Sequence, residues 1–157
     1  MRSTILLVIA ALVAPTIAPA AEPDKPKAPI VYAAPDDVRK LAIRRYIAMW
    51  QTGSLDELTQ VIGEGYVGHT ASGDRDIGGL RARMTAFKAA YPDIRFTIQD
   101  QIAEGDLVAT RMTAQATSAE TGERVRMVGV NISRFSDGQI AEEWPTWERV
   151  SVSAEPR

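Results

Sequence analysis

Ile132-Ser133-Arg134-Phe135-Ser136-Asp137-Gly138-Gln139-Ile140-Ala141-Glu142-Glu143-Trp144 carries the plainest structural signal in the chain. A type I′ hairpin turn needs positive φ at both central residues, and Asp137-Gly138 is the pair that supplies it at least cost. Turn length fixes register, and register fixes faces. With Asp137-Gly138 as a two-residue loop, Ser136 pairs with Gln139, Phe135 with Ile140, Ser133 with Glu142, and Asn131 with Trp144. Phe135, Ile140 and Trp144 mark a buried face, and Asn131, Ser133 and Glu142 are expected to share it.

Two further strands lead into this hairpin. After Pro92 the apolar period is two: Ile94, Phe96, Ile98 and Ile102 alternate with Arg95, Thr97, Gln99 and Gln101. A three-residue loop, Glu104-Gly105-Asp106, matches Ile98 with Met112 and Phe96 with Ala114. That register sets Asp100 opposite Thr110 on the isoleucine face. Thr121-Gly122 turns into the strand from Arg124 to Ser136. The expected result is an antiparallel meander of four strands. A polar band of Asp100, Thr110, Asn131 and Glu142, beside Trp144, should cross its concave apolar face. Val128, Val130, Ile132 and Trp147 would share the opposite face, which suits a homodimer contact.

Upstream the period is helical. Ile43, Tyr46, Ile47 and Trp50 form a stripe in a helix from about Asp36 to Gln51. Ser54 with Glu57 reads as the capping box of a short second helix. A glycine-rich stretch, residues 63–73, holds a short strand near Tyr66 and also His69, the chain's single histidine. Asp76 can cap a third helix with the stripe Ile77, Leu80, Met84, Phe87, Tyr91, which Pro92 stops. Helices followed by a meander make an α+β layout, with the three helices packed on one face of a curved antiparallel sheet.

The ends read differently. Arg2, the apolar run Ile5 to Val13 and Ala18-Pro19-Ala20 fit a signal peptide over residues 1–20, and the run is too short to span a bilayer. Residues 21–35, with Pro23, Pro26, Pro29 and Pro35, read as an extended tether. The folded domain is expected over residues 36–150, with a flexible tail at 151–157. Export to the periplasm or medium follows, with no stable membrane insertion once the signal is removed.

The chain of 157 residues has no cysteine, which excludes a disulfide framework, thiolate metal sites and a cysteine nucleophile. Its net charge is −2 and it has no basic run, so no nucleic-acid partner is expected. One histidine without H-x-x-x-H spacing argues against zinc, and no dinucleotide or phosphate-loop glycine pattern occurs. Neither a metal nor a cofactor is expected.

Several runs, taken in order, resemble the SnoaL-like polyketide and ester cyclases. They are Tyr91 to Phe96, Ile98 to Asp100, Ala103 to Arg111, Thr121-Gly122, Gly129 to Phe135 and Asp137 to Trp144, with Tyr66 to His69 and Gly79 to Arg81 before them. The resemblance covers about Asp36 to Glu148. It implies a ketosteroid-isomerase-like cone enclosing a small-molecule pocket, and an aspartate that deprotonates carbon beside a carbonyl. Asn131 stands at a family "G-x-D" position, and an amide cannot take that proton.

The expected function is therefore cofactor-free acid/base chemistry on a small apolar carbonyl or ester. Asp100 would be the base and His69 the proton shuttle. Asn131, Trp144, Glu142 and Thr110 would bind the substrate. The alternative is a small-molecule binder or dimeric accessory protein of the same fold, without turnover.

Overall fold

The computed structural model describes residues 37–150. The expected signal peptide and tail lie outside them, as does the tether. Helix α1 spans Val38–Thr52, α2 Leu58–Val61 and α3 Ile77–Ala90. Strands β1 (Ile62–Thr70), β2 (Gly73–Arg75), β3 (Arg95–Glu104), β4 (Leu107–Thr117), β5 (Arg124–Ser136) and β6 (Gln139–Val150) complete the domain. They form one sheet in the order β2-β1-β6-β5-β4-β3. No helix among the described residues is long and apolar enough to cross a membrane.

The helices start where the sequence supplies an acceptor. Asp37 caps α1 by accepting from the Arg39 backbone N–H at 2.9 Å, and Asp76 caps α3 by accepting from that of Gly79 at 2.7 Å. Gly53 ends α1 in the left-handed conformation, φ +82°. The expected capping box at α2 is not formed. Ser54 donates its hydroxyl to Asp56 and the Glu57 carboxylate takes an Arg45 N–H at 2.8 Å, so α2 shrinks to one turn starting at Leu58.

The meander of β3 to β6 is as expected, and Asp137-Gly138 turns with φ of 51° and 80°. The sheet is larger than expected. The strand near Tyr66 runs nine residues, lies parallel to β6 and folds back on β2. Its pairing makes β6 a central strand, although β6 contains Pro145. That proline comes two residues after Glu143, the last β6 residue to pair with β1, so its missing N–H costs no ladder bond on that side.

Two irregularities set which side chains face inward. In β3 the register shifts between Ile98 and Asp100. Ile98 pairs with Met112 and Phe96 with Ala114, as expected, but Glu104 pairs with Leu107 across a two-residue turn and Asp100 pairs with Arg111. In β6 Ala141 is an extra residue: Phe135 pairs with Ile140 but Arg134 with Glu142 and Ser133 with Glu143. A one-residue shift exchanges faces.

The core lies between the inner sheet face and the helices. Ile43, Tyr46 and Met49 of α1 and Leu80 and Met84 of α3 pack with Val108, Phe135 and Ile140. A second cluster, Ile94, Ala114, Ala116 and Val125, fills the other end with Phe87 and Phe96 against it. Trp147 pairs with Gly129 and lies over it. A methyl group at 129 would meet Trp147 Cε3 at 2.6 Å and the Thr146 carbonyl at 2.7 Å. Gly129→Ala should therefore destabilise the domain by about 1–3 kcal/mol through overpacking and shift the tryptophan emission. Thermal melts with fluorescence detection read both, and an unchanged melting temperature would contradict the packing described.

Candidate functional site

The inner sheet face and the two long helices enclose a cavity of ≈840 Å³, within the roughly 300–1,000 Å³ range of small-molecule sites. Ile43, Tyr46, Ile47 and Trp50 line it from α1, and Leu80, Arg83 and Phe87 from α3. The sheet contributes Phe96, Met112, Met127, Asn131, Glu143, Pro145 and Trp147. Tyr66, His69, Arg75 and Trp144 close the end formed by β1, β2 and β6.

Most of this lining is apolar, and one carboxylate interrupts it. Glu143 is 2% exposed. Its Oε2 accepts the hydroxyls of Tyr46 and Tyr66, both at 2.9 Å. Its Oε1 accepts the Asn131 amide at 2.5 Å and the Ser133 hydroxyl at 3.1 Å. Donors thus converge from α1, β1 and β5 on one side chain of β6. Burial pushes the Glu143 carboxyl above its ordinary value, while the four hydrogen bonds pull the other way. Burial and then the charge of Glu143 raise both tyrosines, so Glu143 loses its proton long before either phenol. Asn131 spends its amide N–H on Glu143, and its buried Oδ1 has no hydrogen-bond partner among the described residues.

The structure brings some of the expected site residues together and separates others. Asn131 is buried on the inner face, but it pairs with Pro145 rather than Trp144 and lies beside Glu143 rather than Glu142. Asp100 is not in the cavity. The β3 bulge turns it to the opposite face from Asn131, where it is 45% exposed and accepts from Arg111 Nε at 2.6 Å. The polar band therefore loses its proposed base. Thr110 is buried on the inner face, paired with Asn131, but does not line the cavity.

Glu142 is not opposite Ser133, because Ala141 displaces it. It lies at the rim, bonded to Arg134 and within 3.3 Å of His69 Nε2. His69 lines the cavity end and sits between Glu142 and Asp74, whose carboxylate is 3.0 Å from Nδ1. Trp144 stacks on the His69 ring with centroids 5.0 Å apart, and pairs with Ile132. The same shift moves Trp147 inward, where its ring meets Phe96 edge-on. The opposite face keeps Val130 and Ile132 exposed, with Trp144 in the place expected for Trp147.

Sequence reasoning missed Glu143, Tyr46 and Tyr66 as a unit. One signal was available. Pro145 and Trp147 alternate with Glu143, and a proline inside a central strand marks an irregular segment. Among the described residues no group of three or more His, Asp or Glu side chains is arranged to hold a metal ion.

The domain pattern of the SnoaL-like polyketide cyclases matches residues 40–155, and the chain belongs to that family. No curated protein matches it. Among solved structures it is similar to IdmH of Streptomyces antibioticus, a candidate polyketide cyclase, at 29% identity over 70% of this chain and 91% of that one, TM-score 0.64. AclR of Streptomyces galilaeus, a candidate hydroxylase, is 26% identical over 69% and 77% of the two chains, TM-score 0.63. A candidate polyketide cyclase of Acidithiobacillus ferrooxidans, 22% identical over 73% and 91% of the two chains, shares the fold with a TM-score of 0.65.

The raised Glu143 carboxyl makes stability depend on pH in a defined direction. Unfolded, the group titrates near its ordinary 4.5; folded, it titrates higher. Stability linked to the proton is fully present below 4.5 and is lost as pH rises through the folded value, by at most about 1.4 kcal/mol per pH unit. Asp37, held at about 2 chiefly by the Arg39 guanidinium, and Asp93, lowered by Thr117, act oppositely and only as pH falls below 3.8. Melting temperatures of wild type should therefore fall relative to Glu143→Gln as pH rises above 4.5. Parallel curves would remove the basis for a shifted carboxyl.

Proposed function

We propose that the cavity binds a small, mainly apolar carbonyl or ester compound and that Glu143 removes a proton from the carbon beside its carbonyl. The observation that carries this reading is a buried carboxylate, raised by desolvation, at the wall of a mainly apolar cavity. In the step, the C–H bond breaks and its proton passes to Glu143. The electron pair forms a C=C bond as the carbonyl π pair moves onto oxygen. The Tyr46 and Tyr66 hydroxyls, already aimed at this spot, can turn from Glu143 to the enolate oxygen. Return of the proton to another position completes an isomerisation, or attack by the enolate carbon on a second carbonyl closes a ring. His69, at the cavity end, is placed to exchange protons with solvent.

Membership of the family supports the scaffold and not a reaction, since IdmH and AclR carry different descriptions. One observation favours the second reading, a binding pocket without turnover: each oxygen of Glu143 already accepts two donors. Export, supported by the apolar run Ile5 to Val13 and Ala18-Pro19-Ala20, would place either activity outside the cytoplasm. A second copy would pack against the face carrying Val130 and Ile132.

The two readings separate in an exchange experiment. A series of β-keto esters with aromatic bodies is incubated with the protein in heavy water, and deuterium uptake at the central carbon is followed by mass spectrometry. The catalytic reading expects uptake above buffer with wild type, uptake preserved in Asp100→Asn, and a loss of about 10²–10⁴-fold in Glu143→Gln. Uptake that survives Glu143→Gln and vanishes in Asp100→Asn would overturn the assignment of the base. Ligand binding with no uptake for any ester would favour the binding reading.

A further inference from the structure

The cavity carries positive charge that no carboxylate among the described residues pairs with. Arg75, the last residue of β2, lines it half-buried, and among the described residues its guanidinium makes no hydrogen bond or ion pair. Some other arginines find carboxylates: Arg39 with Asp37, Arg45 with Glu57, Arg111 with Asp100, Arg134 with Glu142. Arg75 is also held in place. Its stem crosses the first turn of α3 at Gly79, where a Cβ would come within 3.1 Å of Arg75 Cδ. Its charge reaches the cavity interior, since it lowers the otherwise raised Tyr66 hydroxyl. Arg83 of α3, an exposed residue, adds a second cation to the lining, its guanidinium 5.5 Å from the Phe87 ring centre.

The single carboxylate in the lining does not neutralise them. Glu143 is saturated by four neutral donors, and the causes of its shift are burial and those hydrogen bonds. A cation at a cavity wall, unpaired and partly desolvated, attracts an anion far more strongly than it would in water. A guanidinium fits a carboxylate in particular, through two parallel N–H bonds.

We infer that the natural ligand is a carboxylic acid with an apolar body, its carboxylate held by Arg75 and supported by Arg83. This rests on the reading of the cavity as a small-molecule site and is independent of turnover. The carboxylate end fixes the ligand's direction. Repelled by Glu143, it stays at the arginine wall and delivers the opposite end of the molecule to the Tyr46–Tyr66–Glu143 cluster.

All three tryptophans of the chain, Trp50, Trp144 and Trp147, line the cavity, so intrinsic fluorescence reports occupancy. The probes are pyrenebutyrate, its uncharged primary amide, and pyrenebutanesulfonate, titrated into wild type, Arg75→Gln, Arg75→Lys and Arg83→Gln. Pyrenebutyrate should bind wild type at least about tenfold tighter than the amide, a ratio worth about 1.4 kcal/mol. Arg75→Gln should abolish that preference while leaving amide binding within about twofold, a change of only about 0.4 kcal/mol. Arg75→Lys should keep part of the preference, and Arg83→Gln should reduce it less than Arg75→Gln. Equal binding of acid and amide to wild type would overturn the inference and leave the pocket standing. A preference that survives Arg75→Gln would overturn the role of Arg75, and tighter binding of the sulfonate would overturn the carboxylate. Failure of all three probes to quench would remove the small-molecule reading and this inference with it.

Discussion

Glu143 is the point on which the domain is hung. Burying a carboxylate costs several kcal/mol unless polar partners replace the lost water. Here the partners come from three separate elements, Tyr46 on α1, Tyr66 on β1, and Asn131 and Ser133 on β5. Each hydrogen bond to such a charge is worth about 1.5–3 kcal/mol in context. The cost of the charge is therefore met only when helix, first strand and central hairpin are all in place. That makes the cluster a test of correct assembly as well as a chemical group. The unpartnered Asn131 oxygen shows the limit of the arrangement, because turning the amide to satisfy it would take the N–H away from Glu143.

The rest of the cavity follows from this anchor. With α1 tied to β6 through Tyr46, the α1 stripe of Ile43, Ile47 and Trp50 is held facing the sheet rather than collapsed against it. The Gly129–Trp147 contact lets an indole lie flat at the cavity floor beside Phe96. Beyond the floor, the stacked His69 and Trp144 close one end together with Arg75, and Arg83 lines the cavity from α3. The cavity lies on the concave face, while Asp100, Arg111, Val130 and Ile132 belong to the other.

Much of the fold could be read from the chain. Spacing gave α1 and α3 within a residue or two, the caps Asp37 and Asp76 obey ordinary rules, and Asp137-Gly138 set a hairpin with the pairing expected at its tip. Asn131 faces inward as expected, paired with Thr110 in a β4–β5 ladder that no bulge interrupts. The candidate site was less legible. Period-two reasoning assumes an unbroken ladder, and both errors lie beyond a bulge. On the inner face Ala141 exchanged Glu142 for Glu143 and Trp144 for Trp147. The irregularity between Ile98 and Asp100 turned Asp100 outward. Neither bulge carries a glycine or proline at the inserted position to announce it. The tyrosines were read only as stripe members, since their hydroxyls acquire meaning when a carboxylate from almost a hundred residues away meets them.

The bulge at Ala141 has a consequence for how the gene can change. Glu142 and every later residue of β6 pair as they would in a regular hairpin from which position 141 was missing, while Phe135 and Ile140 keep their own pairing on the near side. Most codons in this strand cannot be lost without turning the following side chains over. At this one position a deletion preserves the facing of Glu143, Pro145 and Trp147. The cavity wall is thus insulated from length variation at the hairpin, and descendants of this sequence can lose that codon and keep their buried acid.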